Sequence, residues 1–246
     1  MISFNKEQIF IVTGASSGLG EGTALLLNEL GATVVGIARN EKRLNAMKEK
    51  CKYPKNMYLE IKDLTEDIEG LPQYVKELKN KYGKFSGMAY CAGISGVVPL
   101  KALDYAYLQN MFNINYFAPI LMTKGLVDKR NNIGNGTSIV AISSISSLCS
   151  DKGHIAYAGS KSALCASLKS ISKEVISNRI RVNCVLPSNI KTAMTSAEGY
   201  EESQKELYPL GFGEPLDVAN LIVYLLSDRT KFISGQNYVI DTGVVR

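Results

Sequence analysis

The sequence has one histidine, His154. It stands just ahead of a helical segment with no assignable partner, so a Ser-His-Asp hydrolase is not indicated, and the side chain reads as satisfied or solvent-facing. No His/Cys/Asp cluster has metal-ligand spacing, and a metal centre is not expected. Five cysteines, at 51, 91, 149, 165 and 184, are odd in number and lack CxxC spacing; free, mostly buried thiols in a reducing compartment are expected. No apolar run approaches a bilayer span, and the opening MISFNKEQIFIVTG lacks a basic region, a long apolar segment and a cleavage site, which points to a soluble, cytoplasmic protein. Charge is not concentrated either. A formal net charge of +5 comes from Lys and Arg scattered among acids, which gives nucleic-acid binding little support but leaves a modest positive field for small anions. No repeat, linker or low-complexity tract divides the 246 residues, and 46% hydrophobic residues suffice for one substantial core; residues 1–246 are read as one domain.

What is present is an alternation. Short apolar runs lie at 9–13, 33–37, 85–91, 137–143 and 180–186, with a weaker strand at 57–60 and a last one at 237–240. Helical candidates fall between them at 19–30, 40–50, 68–82, 103–128, 154–177 and 215–227. Continuous apolar runs suit parallel strands covered on both faces, so the pattern predicts an α/β, doubly wound parallel sheet of about seven strands with helices on both sides. Ligands should collect beyond the C-terminal ends of the strands. The least regular interval, 187–213, suits either an active-site lid or a surface excursion with one short helix.

After the first strand comes TGASSGLG, with Gly14, Gly18 and Gly20 leading into an apolar-striped helix. Such a turn brings backbone donors close to a pyrophosphate at a helix N-terminus, although the spacing is not GxGxxG and the GK[ST] of a P-loop is missing. Where the second strand ends, a carboxylate would select NAD; the chain instead has Ala38 and Arg39, whose guanidinium suits a 2′-phosphate, with Lys42 and Arg43 as auxiliaries. NADP(H) is therefore expected. Asp63 is placed to accept from an adenine amino group or to cap a turn, and Ala92 and Gly93 let backbone approach a cofactor after the fourth strand.

Tyr157 and Lys161 are four apart on one helix face. A phenol is a poor proton carrier at neutral pH, and an adjacent ammonium is expected to lower its pKa. The preceding strand ends in AISSISS, where the hydroxyl of Ser143 or Ser144 is available for a substrate oxygen.

Taken together, TGASSGLG, CAG, YAGSK and the late GEPLDVANLIVYLLSD and ISGQNYVIDTG resemble the short-chain dehydrogenase/reductase family over nearly the whole chain, with similarity to its 3-oxoacyl-acyl-carrier-protein reductases. The resemblance implies a Rossmann-like fold and reversible hydride transfer between NADP(H) and a carbonyl. It makes Tyr157 the proton donor, Lys161 the ribose-binding lysine, Ser144, thirteen residues before the tyrosine, the oxygen-steadying serine, and Asn115 the residue that kinks its helix and completes a proton relay. Cofactor binding then falls to Gly14, Ser16, Ser17, Gly18, Leu19, Gly20, Arg39, Asp63, Ala92, Gly93, Pro187, Ile190 and Thr192, joined by Tyr157 and Lys161, and the substrate lid to 190–212. Departures are Ser17 where NADP-dependent members often carry a basic residue, Tyr90-Cys91 before Ala92-Gly93 in place of asparagines, Ser188 in place of glycine after Pro187, and Ala118 in place of the glycine after Asn115. Small-molecule substrate and a homodimer or homotetramer are implied; reduction of a sugar or another specialised ketone, and a catalytically weak nucleotide-sensing scaffold, are the rival functions.

Overall fold

The computed structural model describes residues 2–196 and 200–244; residues 197–199 of the expected lid, and positions 1, 245 and 246, lie outside the described residues. Seven strands form one parallel sheet: β1 (Ile9–Thr13), β2 (Thr33–Ala38), β3 (Met57–Ile61), β4 (Gly87–Tyr90), β5 (Ser138–Ile142), β6 (Arg181–Pro187) and β7 (Asn237–Ile240). Their spatial order is β3-β2-β1-β4-β5-β6-β7. The order reverses between β1 and β4, and such a switch point opens a crevice beyond the strand C-termini. β1, Ile9–Thr13, and β4, Gly87–Tyr90, pair in register from Phe10↔Gly87 to Thr13↔Tyr90, so the glycine turn and the Cys91–Gly93 segment leave the sheet side by side.

Each sheet face carries its own apolar core. Phe10, Val12, Val34 and Val185 pack against α1 (Gly18–Glu29), α2 (Glu41–Glu49) and α8 (Pro215–Leu226), whereas Ile11, Val35, Met88 and Ile139 face α3 (Leu71–Tyr82), α5 (Ala118–Val127) and α6 (Ile155–Val175). The alternation along a strand therefore fills both layers, as the unbroken apolar runs require. On α6 the buried positions Ala156, Ser160, Lys161, Leu164, Cys165, Leu168, Ser172 and Val175 follow helical spacing and turn one stripe to the sheet. Among the described residues no helix is long and apolar enough to cross a membrane.

Two expected helices have different bounds. The helix expected from 68 starts at Leu71, because the Asp67 carboxylate accepts from the Gly70 amide and holds 68–70 as a turn, with Pro72 in the first helical turn. The helix expected at 103–128 is three pieces: α4 (Tyr105–Phe112), a π turn over Asn113–Phe117, and α5. Pro119 stands just after this turn. It has no N–H to continue an α ladder, and the Ala118 amide bonds back to Asn113, five residues earlier.

Candidate active site

The glycine turn is shaped by what a side chain would strike. Gly14 and Gly18 adopt φ +67° and +54°, and a Cβ on Gly14 would lie 3.0 Å from the Ala92 amide nitrogen. A Cβ on Gly20 would come within 2.3 Å of the Gly14 carbonyl oxygen, so that residue serves close helix-to-turn packing. Ser17 precedes α1 in extended conformation without a side-chain cap, which leaves the first-turn amides for another acceptor. Ser16 and Leu19 complete the turn, and the Leu19 carbonyl accepts from Thr23. The side chain of Thr192 stands over the turn, 3.2 Å from where a Gly18 Cβ would be. The three glycines therefore let the turn pack directly against Ala92, its own Gly14 carbonyl and Thr192.

Thr13, which the sequence reading passed over, ties the two sides together: its Oγ1 accepts from the amides of both Cys91 and Ala92 at 3.0 Å. Its signal was its place as the last residue of β1, directly before Gly14. Arg39 and Asp63 come together as an ion pair, Nη1 to Oδ2, at 3.3 Å, with Arg39 largely exposed. The other Asp63 oxygen accepts from the Thr65 amide and hydroxyl, so the residue caps a turn in addition to pairing with Arg39. Although burial pushes the Asp63 carboxyl up, the Thr65 hydrogen bonds and Arg39 hold it below its ordinary value.

At the same sheet edge Ser144, Tyr157 and Lys161 converge. Ser143 and Ser144 part company here. The Ser143 hydroxyl donates to the Lys161 carbonyl at 3.0 Å and seats α6, while Ser144 Oγ accepts from the Ser146 amide at 3.1 Å and lies near enough to the Tyr157 phenol to lower its pKa. Lys161 is buried and its Nζ donates to the Ile142 carbonyl at 2.8 Å, 5.9 Å from the centre of the Tyr157 ring. Burial depresses the Lys161 ammonium to about 8. The expectation that this ammonium lowers the phenol is corrected. Burial pushes the Tyr157 pKa above its ordinary value, and hydrogen bonding by Ser144 opposes this only in part. Desolvation wins because the phenol is shielded from water, which disfavours its charged form more than the Ser144 contact favours it.

Asn115 is fully buried in the π turn, where its Oδ1 accepts from the Ile94 amide and its Nδ2 donates to the Ile94 carbonyl and to Ser160. A Cβ on Gly93 would lie 2.9 Å from Asn115 Oδ1 and 3.3 Å from Lys161 Nζ, so Gly93 is the contact point between the β4 segment, Asn115 and Lys161. Ser160, also missed from sequence, joins Asn115 to the Tyr157 carbonyl through its hydroxyl. His154 is half-buried. Its Nδ1 is buried without a hydrogen-bond partner among the described residues, and its ring centre lies 6.0 Å from that of Tyr157.

Beyond β6, Pro187 pairs with Ile240 of β7, and Ser188 keeps a negative φ, so the glycine that this position lacks is not required by the backbone. Buried Ile190 bridges to Gly213 and closes the base of the 190–212 excursion. That excursion carries α7 (Tyr200–Ser203) and an edge-to-face trio of Tyr200, Tyr208 and Phe212. Lys191 pairs within it with Glu201 at 3.7 Å and ties it to the body through Glu214, at the start of α8, at 3.0 Å. A cavity of about 690 Å³ lies within it, lined by residues that include Thr192, Tyr208 and Phe212 and not by Tyr157.

Residues 14–245 match a family model described as enoyl-(acyl carrier protein) reductase. The chain is 31% identical to the 3-oxoacyl-acyl-carrier-protein reductase FabG of Thermotoga maritima, over 97% of this chain and 98% of that protein. It is 30% identical to a protein of Listeria innocua described as NAD-dependent glycerol dehydrogenase, over 96% and 93%. Among solved structures, a short-chain type dehydrogenase/reductase from Mycobacterium ulcerans superimposes with a TM-score of 0.90 at 28% identity, covering 99% of this chain and 91% of that one.

Proposed function

Because the chain belongs to the short-chain dehydrogenase/reductase family, as an oxidoreductase similar to 3-oxoacyl-acyl-carrier-protein reductases, we propose that it interconverts a carbonyl and a secondary alcohol with NADP(H), and that the substrate is of the 3-oxoacyl type. The observation that carries this reading is the convergence of Ser144, Tyr157 and Lys161 on the edge where the Gly14–Gly20 turn opens. NADPH, when bound, supplies hydride to the carbonyl carbon. Gly14, Ser16, Ser17, Gly18, Leu19 and Gly20 hold its pyrophosphate with Thr192, Asp63 its adenine and Arg39 its 2′-phosphate. Ala92 and Gly93 lie along it, and Pro187 and Ile190 meet its nicotinamide end. Ser144 steadies the substrate oxygen and Tyr157 gives it a proton. Lys161 holds the ribose hydroxyls and, with Asn115, returns a proton to the phenol.

Residues 1–246 act as one dinucleotide-binding unit with 190–212 as its lid. The segments after β4 and β5 and the lid each present exposed apolar side chains: Val97 and Leu100, Leu148, and Met194 and Leu210. Apolar surface of this kind favours an acyl chain over a polyhydroxylated sugar. Exposed Tyr105 and Phe117 on the α4–α5 side suit a homodimer or homotetramer, and the free cysteines go with a cytoplasmic location. The test is NADPH fluorescence followed against 3-oxoacyl thioesters, simple ketones and sugars. Selective oxidation with the thioesters is expected; NADPH binding without turnover across the panel would favour a nucleotide-sensing scaffold instead.

The cofactor choice has its own test. One relative is described as NAD-dependent, and Arg39 is the group that would reverse that preference here. A charge-assisted hydrogen bond contributes about 1.5–3 kcal/mol, so Arg39→Ala should reduce the preference for NADPH over NADH roughly ten- to a hundredfold in kcat/KM. An unchanged ratio would take Arg39 out of the selector role.

A further inference from the structure

The π turn over Asn113–Phe117 strands one carbonyl. The Ala118 amide, the ordinary α-helical donor for Ile114, bonds instead to Asn113. The next residue in line is Pro119, which has no N–H. Ile114 thereby loses both its i+4 and its i+5 backbone donors, and a buried carbonyl without a partner is costly. The missing donor arrives from a different element: the Tyr90 hydroxyl, at the end of β4, donates to the Ile114 carbonyl at 2.9 Å. Tyr90 is 1% exposed, and burial pushes its phenol well above its ordinary value, so it stays a donor across the working pH range.

The neighbour of this carbonyl in the chain is Asn115, whose side chain holds Ile94 and stands beside Gly93 and Lys161. We propose that Tyr90 is a positioning residue: its hydroxyl holds the Ile114 carbonyl and thereby keeps the π turn that points Asn115 at the Gly93–Lys161 contact. The role of Asn115 in proton return rests on the reductase reading above; the hold on the turn does not. Tyr90 and Pro119 form a matched pair in which one removes a donor and the other replaces it.

Hydrogen exchange and turnover test this together. In Tyr90→Phe, which deletes one oxygen and keeps the ring, amide exchange in the 111–121 segment should accelerate about tenfold or more, with exchange elsewhere unchanged. NADPH affinity should stay within about twofold, whereas kcat should fall roughly tenfold and its pH profile shift. The double variant Tyr90→Phe/Pro119→Ala supplies an N–H at 119 for the stranded carbonyl and should return both exchange and kcat toward those of the parent protein. Unchanged exchange and kcat in Tyr90→Phe, or a double variant no closer to the parent than the single one, would overturn the proposal. If exchange responds as expected while the parent protein reduces no carbonyl, the reductase reading fails and the hold on the turn stands; if the parent turns over and Tyr90→Phe is indistinguishable from it, only the role of Tyr90 is lost.

Discussion

Tyr157→Phe should lower carbonyl reduction by about a thousandfold or more while NADPH still binds with near-native affinity. The substitution removes one oxygen and nothing else. Ring volume, the 6.0 Å approach to His154 and the packing of α6 are all retained. On the proposed mechanism, what is lost is the donor that would protonate the forming alkoxide. Because burial raises the phenol, the protein in its unliganded state carries a protonated, donating Tyr157 at neutral pH. The sign of the pH dependence follows. Reduction needs the protonated phenol and declines on the alkaline side, whereas alcohol oxidation needs the phenolate and gains there. A fluorescence titration of NADPH beside single-turnover reduction separates binding from chemistry, and a Phe variant that turned over within tenfold of the parent would remove Tyr157 as the donor.

Lys161→Met should abolish turnover to a similar degree, weaken NADPH binding, and yet make the ligand-free protein more stable at pH 7. Lys161 is buried, and its ammonium is depressed from an ordinary 10.5 to about 8. A lysine whose folded pKa is below its unfolded one opposes folding. The cost is fully present below pH 8, where both states are charged, and it fades as pH rises to 10.5, because there the unfolded chain binds more protons than the folded one. At full extent the depression corresponds to about 3 kcal/mol. Removing the ammonium also removes its 2.8 Å hydrogen bond to the Ile142 carbonyl, so a net gain of about 1–2 kcal/mol is expected at pH 7. Denaturant titrations of both proteins at pH 7 and pH 10 provide the check: the margin of the Met variant should shrink at the higher pH. A variant less stable than the parent at pH 7 would mean that Lys161 is a structural cation and not a strained functional one.

The two substitutions also separate what kinds of information the chain carries. The strands at 9–13 and 237–240 and the helix at 215–227 lie within a residue of their expected bounds, because continuous apolar runs and caps such as Glu214-Pro215 act locally. Gly14 and Gly18 were legible for the same reason, since a positive φ disfavours a Cβ whatever surrounds it, and Gly20 because its neighbours along the turn, Gly14 and Thr13, leave no room for one. The four-residue step from Tyr157 to Lys161 is helix geometry and nothing more. Tertiary structure decided the rest. It seated the Ser143 hydroxyl on the Lys161 carbonyl, eighteen positions along the chain. It paired Arg39 with Asp63, twenty-four positions away, and supplied the Ile114 carbonyl with a donor from β4. It also raised the phenol that adjacency to a lysine suggested would be lowered. The amino-acid sequence by itself determined where backbone can bend and which side chains share a face, since those depend on neighbours along the chain. Protonation and hydrogen-bond partners depend on how much water is excluded and by which distant atoms, and only the packed sheet and its helices set that.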